Sequence, residues 1–204
     1  MLFRSWLVFF ALWQRSEPQQ RPALLACLVF ATAGEVFLSL VWGLYEYRLG
    51  NIPLFVPPGH VLLFFLGTRI AARLRDGAEW LIAAAALPMI AVFAGIGRDT
   101  LGPLLFALFI ACMAISPSRK LYATMFVLSL AMELYGTWMG NWTWSAQVPW
   151  LALTADNPPI AAGAFYCVLD FLVVTTVART GWGKRTAPWR VPDFSRPLAR
   201  EERR

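Results

Sequence analysis

The chain has 204 residues, of which 58% are apolar and only 15% charged, with a mean hydropathy of +0.55. Soluble domains carry about 25% charged residues, so this composition excludes an ordinary soluble domain and predicts an integral membrane protein of one domain. The formal charge of +6 is no nucleic-acid signal, because the basic residues sit at the ends of apolar runs and in the tail, where lipid headgroups and topology account for them.

Residues 2–13 are apolar and aromatic, but as a helix they would cover only about 18–20 Å. They are predicted to lie in the interface, with Trp6 and Trp13 at headgroup level, or to form a strained seventh span. The following QRSEPQQRP has no small-residue cleavage site, so this start is expected to be retained. Six longer runs follow, at roughly 22–46, 56–75, 79–97, 100–116, 120–140 and 158–179, each close to the roughly 20 residues that cross a bilayer. The expected fold is therefore an all-α membrane bundle of six spanning helices plus the short N-terminal one, a single domain over 1–180.

Arg and Lys placement sets the expected orientation. Arg15, Arg21, Arg73, Arg75, Arg119, Lys120 and eight basic residues from Arg179 to Arg204 fall on one side, and only Arg48 and Arg98 on the other. The positive-inside rule puts the first side in the cytoplasm, in a bacterial inner membrane. Residues 181–204 are polar, basic and broken by prolines, so a disordered extension that meets anionic lipid headgroups is expected.

A phrase occurs twice. Glu35 is followed by Gly43, Tyr45, Tyr47, Ile52-Pro53 and Pro57-Pro58; Glu133 is followed by Gly140, Trp142, Trp144, Val148-Pro149 and Pro158-Pro159. An offset of about 96–101 residues, four predicted helices, makes this a parallel tandem repeat (copies about 22–75 and 120–179) rather than an inverted one. Each copy reads as a helix bearing a carboxylate, a loop on the non-cytoplasmic side, and a helix opening on Pro-Pro, which suits a first turn.

The alternating rings of YEY and WTW, with Trp138 beside them, read either as an interfacial aromatic belt or as the mouth of a substrate site. Intramembrane carboxylates are rare and usually face a bundle interior. A neutral acid among indole and phenol rings suits proton donation to an electron-rich carbon, with ring faces steadying the cation; the plain alternative is a glutamate that bonds a neighbouring helix. Asp170, midway along the last run, either completes this polar cluster or pairs with Arg69. His60, the only histidine, either orients water or bonds at the interface. Arg48, Asp156 and Asn157 belong to the two loops and suit hydrogen bonds to one another or to a polar end of a ligand.

Cys27, Cys112 and Cys167 each lie in an apolar run and read as packing residues, with no metal-ligand spacing. One histidine cannot build a multi-histidine metal or haem site. Phosphate loops, nucleophile elbows and HExxH are absent.

The string E-x7-G-x-Y-x-Y-R-L-G-x-I-P from Glu35 to Pro53, with its partner from Glu133 to Pro149, resembles the membrane carotenoid-biosynthesis proteins of the carotenoid 1,2-hydratase type, which are similar in style to the membrane lycopene cyclases. The resemblance covers up to half of the chain, from Glu35 to His60 and from Glu133 to Asp170; the WTW of the second copy departs from the tyrosine pattern. It implies acid-initiated hydration or cyclisation of an isoprenoid end group, a lyase- or isomerase-type reaction without metal or redox cofactor. Glu35 and Glu133 are then the acid and its partner, and Asp170 or His60 orients water. Tyr45, Tyr47, Arg48, Trp138, Trp142, Trp144 and Asn157 contact substrate. Two other readings stay open: a non-enzymatic subunit that binds lipid or pigment or assists assembly of a homo-oligomer or larger membrane complex, and a small proton-coupled transporter.

Overall fold

The computed structural model describes residues 3–180; the expected basic tail at 181–204 lies outside them. Seven helices run in order: α1 (Arg4–Arg15), α2 (Arg21–Glu35, carried on by a π-helical segment, Val36–Val41), α3 (Val56–Ala71), α4 (Ala78–Gly95), α5 (Gly102–Ile115), α6 (Arg119–Trp138) and α7 (Gly163–Arg179). Two three-residue strands, β1 (Tyr45–Tyr47) and β2 (Trp142–Trp144), interrupt them.

Six spans are not supported. Two helices, Arg21–Val41 and Ala78–Gly95, are long and apolar enough to cross a membrane by length and composition. Helices α3, α5 and α7 have 16, 14 and 17 residues, and at about 1.5 Å per residue they reach only about 21–26 Å, short of the roughly 30 Å hydrocarbon core. Helix α6 has 20 residues, but its apolar run is diluted by Thr124, Ser129, Glu133 and Thr137. Helix α1, with 12 residues, falls far short of a seventh span; it packs on α3, and the Trp6 Nε1–H donates to the Leu54 carbonyl at 2.8 Å.

The all-α expectation also fails, because YEY and WTW pair as an antiparallel two-stranded sheet in the register Tyr45↔Trp144, Glu46↔Thr143, Tyr47↔Trp142. Period-two aromatics fit a strand as well as a membrane belt, and runs of three residues give no strand signal of their own. Each strand follows a glycine at positive φ, Gly43 at 70° and Gly140 at 65°, where a Cβ would be strained; this turn lets the chain leave its helix and enter the sheet. The Pro-Pro pairs also differ. Pro57-Pro58 sit in the first turn of α3, whereas Pro158-Pro159 lie in the loop before α7.

Helices α2, α3, α6 and α7 form a ring: α2 packs on α3 and α7, and α6 packs on α7 and α3. The sheet contacts both the π segment and α6, so it lies at the end of the ring where α2 and α6 finish. One core starts at the sheet with Leu44 and Trp144 and runs along α5 and α6 through Phe109, Phe126, Met113 and Tyr122, and a second one joins Phe9 and Leu12 of α1 to Leu24, Val61 and Phe64.

Candidate functional site

Glu35 ends the α-helical part of α2, and the wider π turns after it return the chain over its own carboxylate. The Tyr45 and Tyr47 hydroxyls both donate to Glu35 Oε2 at 2.7 Å, and His60 Nε2 lies 2.8 Å from Oε1. The second copy repeats the arrangement with other donors. The Trp142 and Trp144 indoles donate to Glu133 Oε2 at 2.7 and 3.0 Å, and the Tyr166 hydroxyl reaches Oε1 at 3.1 Å. Each glutamate thus accepts two bonds from the alternating aromatics of its own strand and one from the helix that follows, His60 on α3 or Tyr166 on α7. Glu35 is 5% exposed and Glu133 6%. Three donors per buried carboxylate satisfy the rule that buried charge must be bonded.

The two clusters touch. The His60 and Tyr166 rings stack at 4.9 Å between centroids and 10° between planes. Tyr45 lies 5.0 Å from the Trp144 ring, and Tyr47 lies 5.9 Å from Trp142. Burial, followed by the charge of Glu35, pushes both strand phenols above the usual tyrosine value, so they remain hydrogen-bond donors at neutral pH. His60 Nδ1 is buried and has no hydrogen-bond partner. It is the one open polar atom within the double cluster.

Two apolar cavities border this cluster. One, of about 430 Å³, is lined by Phe30, Phe37, Leu38, Trp144, Phe165 and Leu169; the other, of about 420 Å³, by Tyr47, Val56, Leu63, Leu66, Met132 and Trp142. Glu35, Tyr45, His60, Glu133 and Tyr166 line both. Each volume falls in the range of about 300–1,000 Å³ usual for small-molecule sites.

Glu35, Glu133, His60, Tyr45, Tyr47, Trp142 and Trp144 therefore come together, and the other expected site residues do not. Trp138 is 78% exposed and lines neither cavity. Arg48 is exposed outside the cavities, where its backbone N–H donates to the Asn141 carbonyl. Asn157 accepts the Trp144 backbone N–H at 3.0 Å through its side-chain oxygen and so anchors β2. Asp156 accepts from Arg98 at 3.0 Å. Asp170 is fully buried outside both cavities, and no hydrogen bond reaches either of its oxygens, one from Arg69 included; the Arg69 guanidinium lies over the Phe65 ring.

The residue sequence reasoning missed is Tyr166. Its signal was weak, a tyrosine inside the apolar FYCVLD, and the spacing hid it, because it comes seven residues after Pro159 whereas His60 comes two after Pro58. Among the described residues no three His, Cys, Asp or Glu side chains group as a metal ion would require.

The fold and site thus define a helical protein with two long apolar helices and a doubled, hydrogen-bonded carboxylate centre. No family model, curated protein or solved structure matches the chain.

Proposed function

We propose that this chain is a membrane-embedded enzyme that performs acid-initiated hydration or cyclisation of an apolar, isoprenoid-like lipid. The observation that carries the reading is a pair of buried, fully bonded carboxylates beside one open imidazole nitrogen, in a wall common to two apolar cavities. The isoprenoid identity comes from the resemblance to the carotenoid hydratases. The location follows the sequence: a bacterial inner membrane, crossed more than once, with the Arg- and Lys-rich ends and the C-terminus in the cytoplasm.

Three donors on each carboxylate suit the anion rather than a free acid, which shifts the proton-carrying role to His60. Glu35 fixes the imidazole through Nε2 and balances its charge, as carboxylates do for catalytic histidines. The Nδ1 proton adds to one carbon of a substrate C=C, and the π pair forms the new C–H bond. The carbocation left on the neighbouring carbon lies among the ring faces of Tyr45 and Trp144 and beside the Glu133 anion. In hydration, water supplies its oxygen to the cation and a proton returns to Nδ1. In cyclisation, a second C=C of the same chain attacks instead, and the proton lost afterwards returns to Nδ1.

The test expresses the parent, Glu35→Gln, Glu133→Gln and His60→Ala in a host that makes linear isoprenoids, and compares membrane lipid extracts by mass spectrometry. A product heavier by one water, or an isomeric cyclic one, is expected from the parent alone. Full product from the variants removes the catalytic assignment. One observation favours a second reading, a lipid- or pigment-binding subunit: every oxygen of Glu35 and Glu133 already has a hydrogen-bond partner, as in a structural latch. That reading predicts lipid co-purifying with parent and variants alike, with no product from any of them.

A further inference from the structure

The two cavities have nearly equal volumes, and only Glu35, Tyr45, His60, Glu133 and Tyr166 line both. Apart from this wall they use opposite seams of the four-helix ring. The first is built from α2, its π segment and α7, the second from α3 and α6. Each has exposed apolar or aromatic residues at its margin, Phe37 and Leu172 in the first, Leu66 and Tyr135 in the second. The shared wall carries both carboxylates, and its buried polar atom without a hydrogen-bond partner, His60 Nδ1, belongs to a side chain only 9% exposed.

We propose that the two cavities are the arms of one site, which takes a single linear apolar chain crossing the ring. One arm lies in each cavity, and an interior segment, not a chain end, meets His60 and the carboxylates. This rests on the reading of the site as one for an apolar lipid, and it adds the substrate's shape and the place where it reacts. The physical reason is the match of surfaces. Two apolar chambers bury two hydrocarbon arms, whereas a chain confined to one chamber would leave the other lined with unused apolar surface.

Two glycines provide the test without touching the hydrogen-bond network. Gly34 lines only the first cavity and Gly59 only the second, and a Cβ on either would meet no atom within 4 Å. Gly34→Phe and Gly59→Phe should therefore each fill one arm. The probe is a long linear hydrocarbon with a diazirine at each end, offered with a half-length homologue to the full chain in nanodiscs, photolysed and mapped by mass spectrometry.

The long probe should join a peptide of α2 or α7 to one of α3 or α6. Either phenylalanine should lower that double link by about tenfold or more, because lost burial of about two methylenes already changes affinity that much. The half-length probe should label one seam at a time and lose only the blocked one. Both ends of the long probe in one cavity, or a double link unaffected by Gly59→Phe, would overturn the crossing chain and leave an apolar site in a single chamber. No specific labelling by either probe would overturn both the crossing chain and the apolar-lipid reading.

Discussion

Replacing Glu133 by alanine and by glutamine should separate its bonding from its charge. The Trp142 and Trp144 indoles can only donate, and both point at Glu133 Oε2. In Glu133→Gln the amide oxygen takes the Oε2 place and keeps both indole bonds. The amide NH2 takes the Oε1 place, and the Tyr166 hydroxyl turns from donor to acceptor. The weaker neutral bonds and the relief of a buried charge have opposite signs, so a net change within about 2 kcal/mol is expected. In Glu133→Ala both indoles lose their acceptor inside the protein, while the Tyr166 hydroxyl keeps Met132 Sδ at 4.0 Å. At about 1–3 kcal/mol for each unsatisfied buried group, the two indoles lose about 2–6 kcal/mol, a large part of the roughly 5–15 kcal/mol that holds a domain folded. Thermal unfolding in detergent, followed by near-ultraviolet circular dichroism, should rank the parent close to glutamine and both well above alanine. Equal unfolding of the alanine and glutamine variants would refute the hydrogen-bond account of this cluster.

Other expectations concern the same centre and its supports. The Tyr45 and Tyr47 phenols have folded pKa values raised by burial and by Glu35, so the unfolded chain loses these protons first. Stability from this source should be intact below about pH 10 and fall as pH rises above it, and Tyr45→Phe with Tyr47→Phe should flatten that alkaline slope in unfolding measured from pH 8 upward. A Cβ at Gly136 would fall inside the Trp142 ring; Gly136→Ala should cost about 1–3 kcal/mol and weaken the near-ultraviolet signal of the tryptophans. Asp99, 1% exposed, accepts the backbone N–H groups of Gly102 at 3.0 Å and Ile160 at 2.8 Å, tying the start of α5 to the loop before α7. Asp99→Ala should destabilise by about 1–3 kcal/mol, with Asp99→Asn recovering part of the loss, as read by thermal unfolding.

Local features of the sequence carried the chemistry of the site but not its geometry. The glutamate, glycine and alternating-aromatic order is short-range, so Glu35, Glu133, Tyr45, Tyr47, Trp142, Trp144 and His60 stood out before any fold was known. Hydropathy alone overstated the spans, because an apolar run does not record where its helix stops. The runs at 56–75, 100–116 and 158–179 hold helices of only 16, 14 and 17 residues, the last because Pro158-Pro159 and the turn after them stay outside α7. Rings in YEY and WTW look the same in sequence whether they face lipid headgroups or donate to a carboxylate. Tertiary packing decided between these, by pairing two strands about a hundred residues apart and returning each pair of rings onto its own glutamate. The same packing brought His60 to Glu35 and Tyr166 to Glu133, and it left Asp170, Trp138, Arg48 and Asn157 outside the cavities. Which donor meets which acceptor depends on contacts between residues 25 and 33 positions apart. Periodicity and composition fix the helix and its faces, whereas such long-range bonds exist only after the helices have packed.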